Sequence, residues 1–124
     1  MFEGKYFFGK KNGKGKEYYK NGNIKFEGNF LNNRKIDGKI YNSEGNEVFE
    51  IIKGKGNVKE FNDNGILEYE GKYLDGERNG EGKEYNNKGE IIFEGEYING
   101  KRWNGKGYND EGKIELQLEN GKGI

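Results

Sequence analysis

Hydrophobic and polar residues alternate along most of the chain. In Ile91-Ile92-Phe93-Glu94-Gly95-Glu96-Tyr97-Ile98, the residues Ile91, Phe93, Gly95 and Tyr97 fall on one face and Glu94 and Glu96 on the other. A period of two is the signature of a β-strand. Each such run is followed by a polar, glycine-bearing break, as at Asp75-Gly76 and Asn99-Gly100, and then by a second strand such as Gly80–Tyr85. A four-residue turn ending in glycine closes the unit, as at Asn87-Lys88-Gly89, because glycine supplies the positive φ such turns require. Asn12-Gly13 is expected to close a loop of the same type as Asp75-Gly76. No helical stripe is present, and the glycines would cost a helix about 1 kcal/mol each.

The unit repeats. Phe2–Lys25, Phe26–Val48, Phe49–Glu68, Tyr69–Ile92 and Phe93–Glu115 follow one another, with a sixth begun over Leu116–Ile124. Their lengths, 24, 23, 20, 24 and 23, imply a larger period of 67 residues. Laying residues 2–57 on 69–124 without gaps gives 26 identities in 56 positions. A three-unit block has been duplicated, and the break in the second copy suggests a fragment of a longer array or an open end that takes a partner. Two strands per unit predict a meander of roughly ten strands over a single domain, residues 1–124. The short unit departs from the rest. Ile51 replaces the strand glycine and Lys53 the second aromatic, and Gly54-Lys55-Gly56 replaces the long turn.

Stacked units place like residues in columns. Phe2, Phe26, Phe49, Tyr69 and Phe93 form one; Tyr6, Phe30, Tyr73 and Tyr97 a second; Tyr18, Tyr41, Phe61, Tyr85 and Tyr108 a third. Between the first two lie Gly4, Gly28, Gly71 and Gly95. A strand glycine normally weakens a sheet. Here it leaves a bare strip over which rings can lie, each covered ring contributing about 1.5–3 kcal/mol. One hairpin alone is marginal, so stability must come from stacking.

The run YEG-x-Y-x-x-G-x-x-x-G-x-G resembles the MORN (membrane occupation and recognition nexus) repeat, and Glu17-Tyr18-Tyr19-Lys20-Asn21-Gly22 is similar to the variant form common in bacteria. The resemblance covers nearly the whole chain. It implies an all-β fold, an elongated single-layer antiparallel meander of stacked hairpin repeats with an aromatic-lined groove. It also implies adaptor or scaffold roles, with membrane or phosphoinositide attachment for some members. The short unit, lacking the usual glycine and second aromatic, is expected to interrupt the groove near Lys53.

Composition narrows the function. Hydrophobic residues make up only 30% of the chain and charged residues 35%, a balance that favours disorder, yet 15% of the residues are aromatic and regularly spaced, which argues for a folded array. Twenty-two basic and 22 acidic residues cancel, so no net field draws nucleic acid or an anionic bilayer. With no cysteine there is no disulfide framework. No apolar run reaches the ~18 residues of a membrane span, and a start on the repeat at Phe2 leaves no room for a signal peptide, so a cytoplasmic protein, peripheral on membranes at most, is the expectation.

Catalysis has little to draw on: there is no His, Cys or Thr, and Ser43 is the only serine. That removes the common nucleophile–base pairs and His or Cys metal sites. The recurring Glu3, Glu27, Glu50, Glu70 and Glu94 read as a solvated ladder balanced by Lys16, Lys59 and Lys83 rather than one catalytic pair. Gly-Lys runs such as Gly13-Lys14-Gly15-Lys16 lack the phosphate-loop spacing. No enzyme, cofactor or metal is expected. Trp103, the only tryptophan, is placed in a turn where the earlier block has Ile36, with Arg78 and Arg102 in their own turns. Trp and Arg are frequent interface anchors. Candidate partner-binding residues are therefore Tyr6, Phe30, Tyr73, Tyr97, Trp103, Arg78 and Arg102, although the rings could equally be the protein's core and Trp103 could simply fold over the sheet edge. The primary expectation is a non-enzymatic scaffold that binds a protein along the groove or self-associates through sheet edges. The alternatives are an anionic-lipid module using Arg34-Lys35, Arg78 and Lys101-Arg102, and a bacterial antitoxin or immunity-type protein.

Overall fold

A computed structural model describes residues 1–123; the predicted final position of the sixth unit, Ile124, lies outside them. The chain is all-β, with twelve strands and no helix among the described residues. In order they are β1 (Phe2–Phe7), β2 (Lys10–Tyr18), β3 (Ile24–Leu31), β4 (Arg34–Tyr41), β5 (Glu47–Ile51) and β6 (Gly56–Phe61), then β7 (Leu67–Leu74), β8 (Glu77–Tyr85), β9 (Ile91–Ile98), β10 (Lys101–Tyr108), β11 (Ile114–Glu119) and β12 (Lys122–Gly123). The expected count of about ten is thus corrected to twelve. The sixth unit contributes a full strand and a short one, because its turn folds back on itself.

Neighbours in sequence are neighbours in space, and every pairing is antiparallel. The meander is nonetheless two sheets, β1–β5 and β6–β12, because β5 and β6 share only the bridge Ile52–Lys55. The break falls in the short unit, where the expected interruption lies. Ile51 and Val58 there occupy the row that holds glycine pairs elsewhere, and both are buried. They join Phe26, Phe30 and Ile40 in one core cluster, while Tyr69, Phe93 and Tyr97 form a second, and Tyr73 packs against both. Substituting aliphatics for glycine turns a bare strip into a plug that holds the two sheets together.

Two kinds of hairpin end recur. At one, both central residues have positive φ in all six turns: Phe8-Gly9, Asn32-Asn33, Lys53-Gly54, Asp75-Gly76, Asn99-Gly100 and Asn120-Gly121. That is the two-residue turn whose twist matches the flanking strands. Asn12-Gly13, expected to close such a loop, instead lies inside β2, where three residues face one across a bulge; Asn79-Gly80 does the same in β8. In β4 and β10 the register slips by one, at Ile36 and Trp103. The larger and smaller bulges account for the 24- and 23-residue units. At the other end, Asn42, Asn62, Asn86 and Asn109 each accept two backbone N–H bonds within their turns, at 2.9–3.1 Å.

The bulges also stitch units together. Lys53 N–H donates to Asp37 Oδ1 at 2.8 Å, Asn99 N–H to Asn79 Oδ1 at 3.2 Å and Asn120 N–H to Asn104 Oδ1 at 2.8 Å. Beside them Gly54 N–H donates to Ile36 O, Gly100 N–H to Arg78 O and Gly121 N–H to Trp103 O. Each turn is thereby held by the bulge of the unit before it.

Candidate interaction surface

One face of each sheet is built from three rows. In the first, aromatic and acidic residues alternate up to an aliphatic Ile40: Phe2, Glu17, Phe26 and Ile40 face one another in β1–β4, and Glu60, Tyr69, Glu84 and Phe93 in β6–β9. The second row is glycine, with Gly4, Gly15, Gly28 and Gly38 in register and Gly71, Gly82, Gly95 and Gly105 in register. The third pairs aromatics with cations: Tyr6 with Lys11, Phe30 with Lys35, Tyr73 with Arg78 and Tyr97 with Arg102.

These rows interlock. Each first-row ring lies over the glycine pair of its own hairpin. A Cβ at Gly15 would fall 2.7 Å from the Phe2 ring, one at Gly38 2.8 Å from Phe26, one at Gly82 2.6 Å from Tyr69, and one at Gly105 2.8 Å from Phe93. The third-row cations then cover the rings. Lys11 Nζ is 4.6 Å from the Phe2 centroid, Lys35 Nζ 5.3 Å from Phe26, Arg78 4.3 Å from Tyr69 and Arg102 4.6 Å from Phe93. Such stacking is worth about 0.5–2 kcal/mol. Glycine, ring and cation form one stack, repeated four times.

The carboxylates of the first row neutralise those cations. Glu17 pairs with Lys11 at 2.9 Å and Lys35 at 3.0 Å. Arg78 donates Nε and Nη2 to Glu60, both at 2.9 Å, and Nη1 to Glu84 at 2.8 Å, while Arg102 also reaches Glu84. Tyr73 donates its hydroxyl to Glu60 at 2.6 Å. Burial opposes ionisation of Glu17, but the charge of Lys35 and the Lys11 hydrogen bond outweigh it and hold the carboxyl at about 2. Glu60 is likewise lowered, its burial outweighed by Arg78 and the Tyr73 hydroxyl. Burial, reinforced by Glu60, pushes the Tyr73 hydroxyl far up, and burial raises Tyr69 to about 12.

The sequence-predicted residues distribute unevenly over this face. Phe30 and Tyr97 are 3% and 1% exposed and Phe93 is 0%, so these rings are core. Tyr73 is half-buried with its hydroxyl engaged. Tyr6 alone of its column stands open, at 60%. Arg78 and Arg102 are corrected from turns to strand positions in β8 and β10, where cross-strand pairing aims them inward. Trp103 also leaves its predicted turn. It is the bulged residue of β10, half-buried against Gly121. Of the basic residues expected in loops, Lys35, Arg78 and Arg102 are ion-paired within strands, Arg34 lies 3.9 Å from Glu77, and Lys101 is exposed at the start of β10.

Sequence reasoning missed Glu17, Glu60 and Glu84 as counter-ions. Their signal was present, since Glu17 and Glu84, Lys11 and Arg78, and Lys35 and Arg102 are each 67 residues apart. It also missed Tyr19, which stands where other units have the turn asparagine, is buried, and donates to Tyr41 O at 2.6 Å.

The opposite face carries the expected ladder. Glu3, Lys16, Glu27, Lys39 and Glu50 alternate across the first sheet, and Lys59, Glu70, Lys83, Glu94 and Lys106 across the second. Tyr85 and Tyr108 donate to Glu70 and Glu94, both at 2.7 Å. Alternation of sign favours strand pairing. Among the described residues no acidic group is arranged to hold a metal ion, and no helix is long and apolar enough to cross a membrane. A scan of this chain against models of known protein families finds no match, and a search of curated proteins finds none of significant similarity.

Proposed function

We propose that the chain is a non-enzymatic protein-interaction scaffold of stacked β-hairpins, contacting its partner at the first-hairpin end of the ring-bearing face. One observation carries this reading: in the second aromatic column Phe30 and Tyr97 are buried and Tyr73 is half-buried, but Tyr6 remains 60% exposed beside half-buried Phe2. A partner's extended segment laid there would continue the packing of ring against backbone used throughout. Against a chemical role, Glu17 and Glu60 are locked to cations and held below the ordinary carboxylate range, where a general base near neutral pH is not wanted. The test is affinity capture followed by titration of the purified partner. Tyr6→Ser is expected to weaken binding about tenfold, a typical loss for an interface anchor, and Trp103→Ala to leave it unchanged. Equal binding by Tyr6→Ser would remove the proposal.

A further inference from the structure

The first and fourth hairpins are copies of one another, yet their surfaces have diverged in opposite directions. The turn of the first holds Phe8 where the fourth holds Asp75, and both are in the left-handed region, at φ 50° and 53°. The other turns of this type place Asn or Lys there. A bulky ring in this conformation is unfavourable, and Phe8 recovers only an edge contact with Phe7 at 4.5 Å. Phe8 is 91% exposed and Phe7 60%, and the turn stands clear, with nothing near a Cβ at Gly9. Exposed Lys5, Lys10 and Lys14 flank this knuckle. Residues 2–25 carry seven lysines against two glutamates, while residues 69–92 carry four basic against six acidic residues.

The acidic excess of the second block gathers in one place. On the outer face of β8–β10 a trough of about 490 Å³ is floored by Gly82, Gly95 and Gly105 and rimmed by Glu70, Glu81, Glu94 and Glu96 against a single lysine, Lys83. Its counterpart on the first block, about 440 Å³, has two lysines and two glutamates. The difference lies in Lys14 and Asn29, which became Glu81 and Glu96 in the copy. Glu81 and Glu96 sit directly opposite each other across β8 and β9, an arrangement that weakens a sheet unless cations compensate.

We infer that these two surfaces are made for each other: the Phe7-Phe8 knuckle of one molecule docks into the glycine-floored trough of a second copy. The inference rests on the interaction-scaffold reading and adds to it a contact between copies of the chain, through surfaces that do not include Tyr6. Charge complementarity selects the occupant, with Lys5, Lys10 and Lys14 meeting the four glutamates. Packing supports it as well, because ring over bare glycine backbone with cations beside carboxylates is how this chain packs everywhere else. A bilayer would engage the aromatic and basic knuckle but would leave the opposite divergence of the trough unexplained. The contact joins unlike surfaces, so it is heterologous and repeats into a ring or an open filament.

Sedimentation velocity over a dilution series tests it. The average mass of the wild type is expected to rise with concentration and to fall again as salt screens the contact. Phe8→Ser, the pair Lys10→Glu with Lys14→Glu, and the pair Glu81→Lys with Glu96→Lys should each weaken association about tenfold or more, as reversal of paired interface charges does. Equimolar mixing of the two charge-reversed proteins should restore it, which misfolded variants could not do. A wild type that is monomeric at every concentration, association indifferent to these substitutions, or failure of the mixture would overturn the inference. So would a monomer that binds phosphatidylserine vesicles through Phe8, which would assign the knuckle to a membrane. None of these results touches the scaffold reading, which stands or falls with Tyr6→Ser.

Discussion

The two 67-residue blocks share a backbone plan but fill it with different chemistry. In the first, the rings over glycine are Phe2 and Phe26 and the cations are Lys11 and Lys35; the fourth unit has Tyr69 and Arg78, and the fifth Phe93 and Arg102. Glu17 bridges Lys11 and Lys35 in the first block and its copy Glu84 bridges Arg78 and Arg102 in the second, while Arg78 also reaches back to Glu60 of the short unit. Lysine is a point charge on a flexible stem; arginine is a fork that satisfies two carboxylates while stacking on a ring. The second block is therefore tied, within itself and back to the short unit that ends the first, by directional bonds, the Tyr73 hydroxyl to Glu60 among them. The first relies on charge and apolar contact. Polar partners can change within this architecture as long as the glycine pair and the ring above it remain.

That contrast can be broken or sharpened by experiments of decreasing severity. Gly82→Val removes the seat of the Tyr69 ring in both strands' path and should cost about 4 kcal/mol, lowering Tm by roughly 10 °C or more in a thermal melt. A change of under 2 °C would refute the stack. Arg78→Ala leaves half-buried Glu60 with only the Tyr73 hydroxyl, while Glu84 keeps Arg102, and should cost about 3 kcal/mol; Lys11→Ala, which leaves Glu17 still paired with Lys35, should cost about 1 kcal/mol by urea titration. Equal losses would erase the distinction between the blocks. Acid comes next. Glu17 has a folded value of about 2 against an ordinary 4.5, so its contribution is present above the unfolded value and is lost as pH falls from about 4.5 toward 2. Glu17→Gln should flatten that part of the stability profile, worth about 2 kcal/mol. Finally, Asn104→Ala removes one tether between the fifth and sixth units and should cost about 1 kcal/mol, seen as earlier hydrogen exchange near Asn120 with the rest of the sheet unchanged.

Much of the fold was legible because a two-residue period and a 23–24-residue repeat are local facts. The positions of Asp75-Gly76 and Asn99-Gly100 followed from turn chemistry, and the short unit announced its irregularity through Ile51. The site was less legible. Trp103, Arg78 and Arg102 follow glycine-rich breaks closely enough to look like loop residues, and only the pairing register shows that bulges return them to strands. Nor could the columns reveal which rings stay open, since Tyr6 and Tyr97 occupy equivalent positions, yet one is exposed and the other covered by the strands and cations beside it.

By itself the sequence determined strands, turns, duplication and the alternating charges of the outer face, all properties of residues close along the chain. Only the tertiary structure decided where the sheet splits, which cations roof which rings, and which glutamates neutralise them. Those outcomes depend on register and bulge geometry, which bring together side chains from different hairpins. A shift of one residue there would exchange inside for outside.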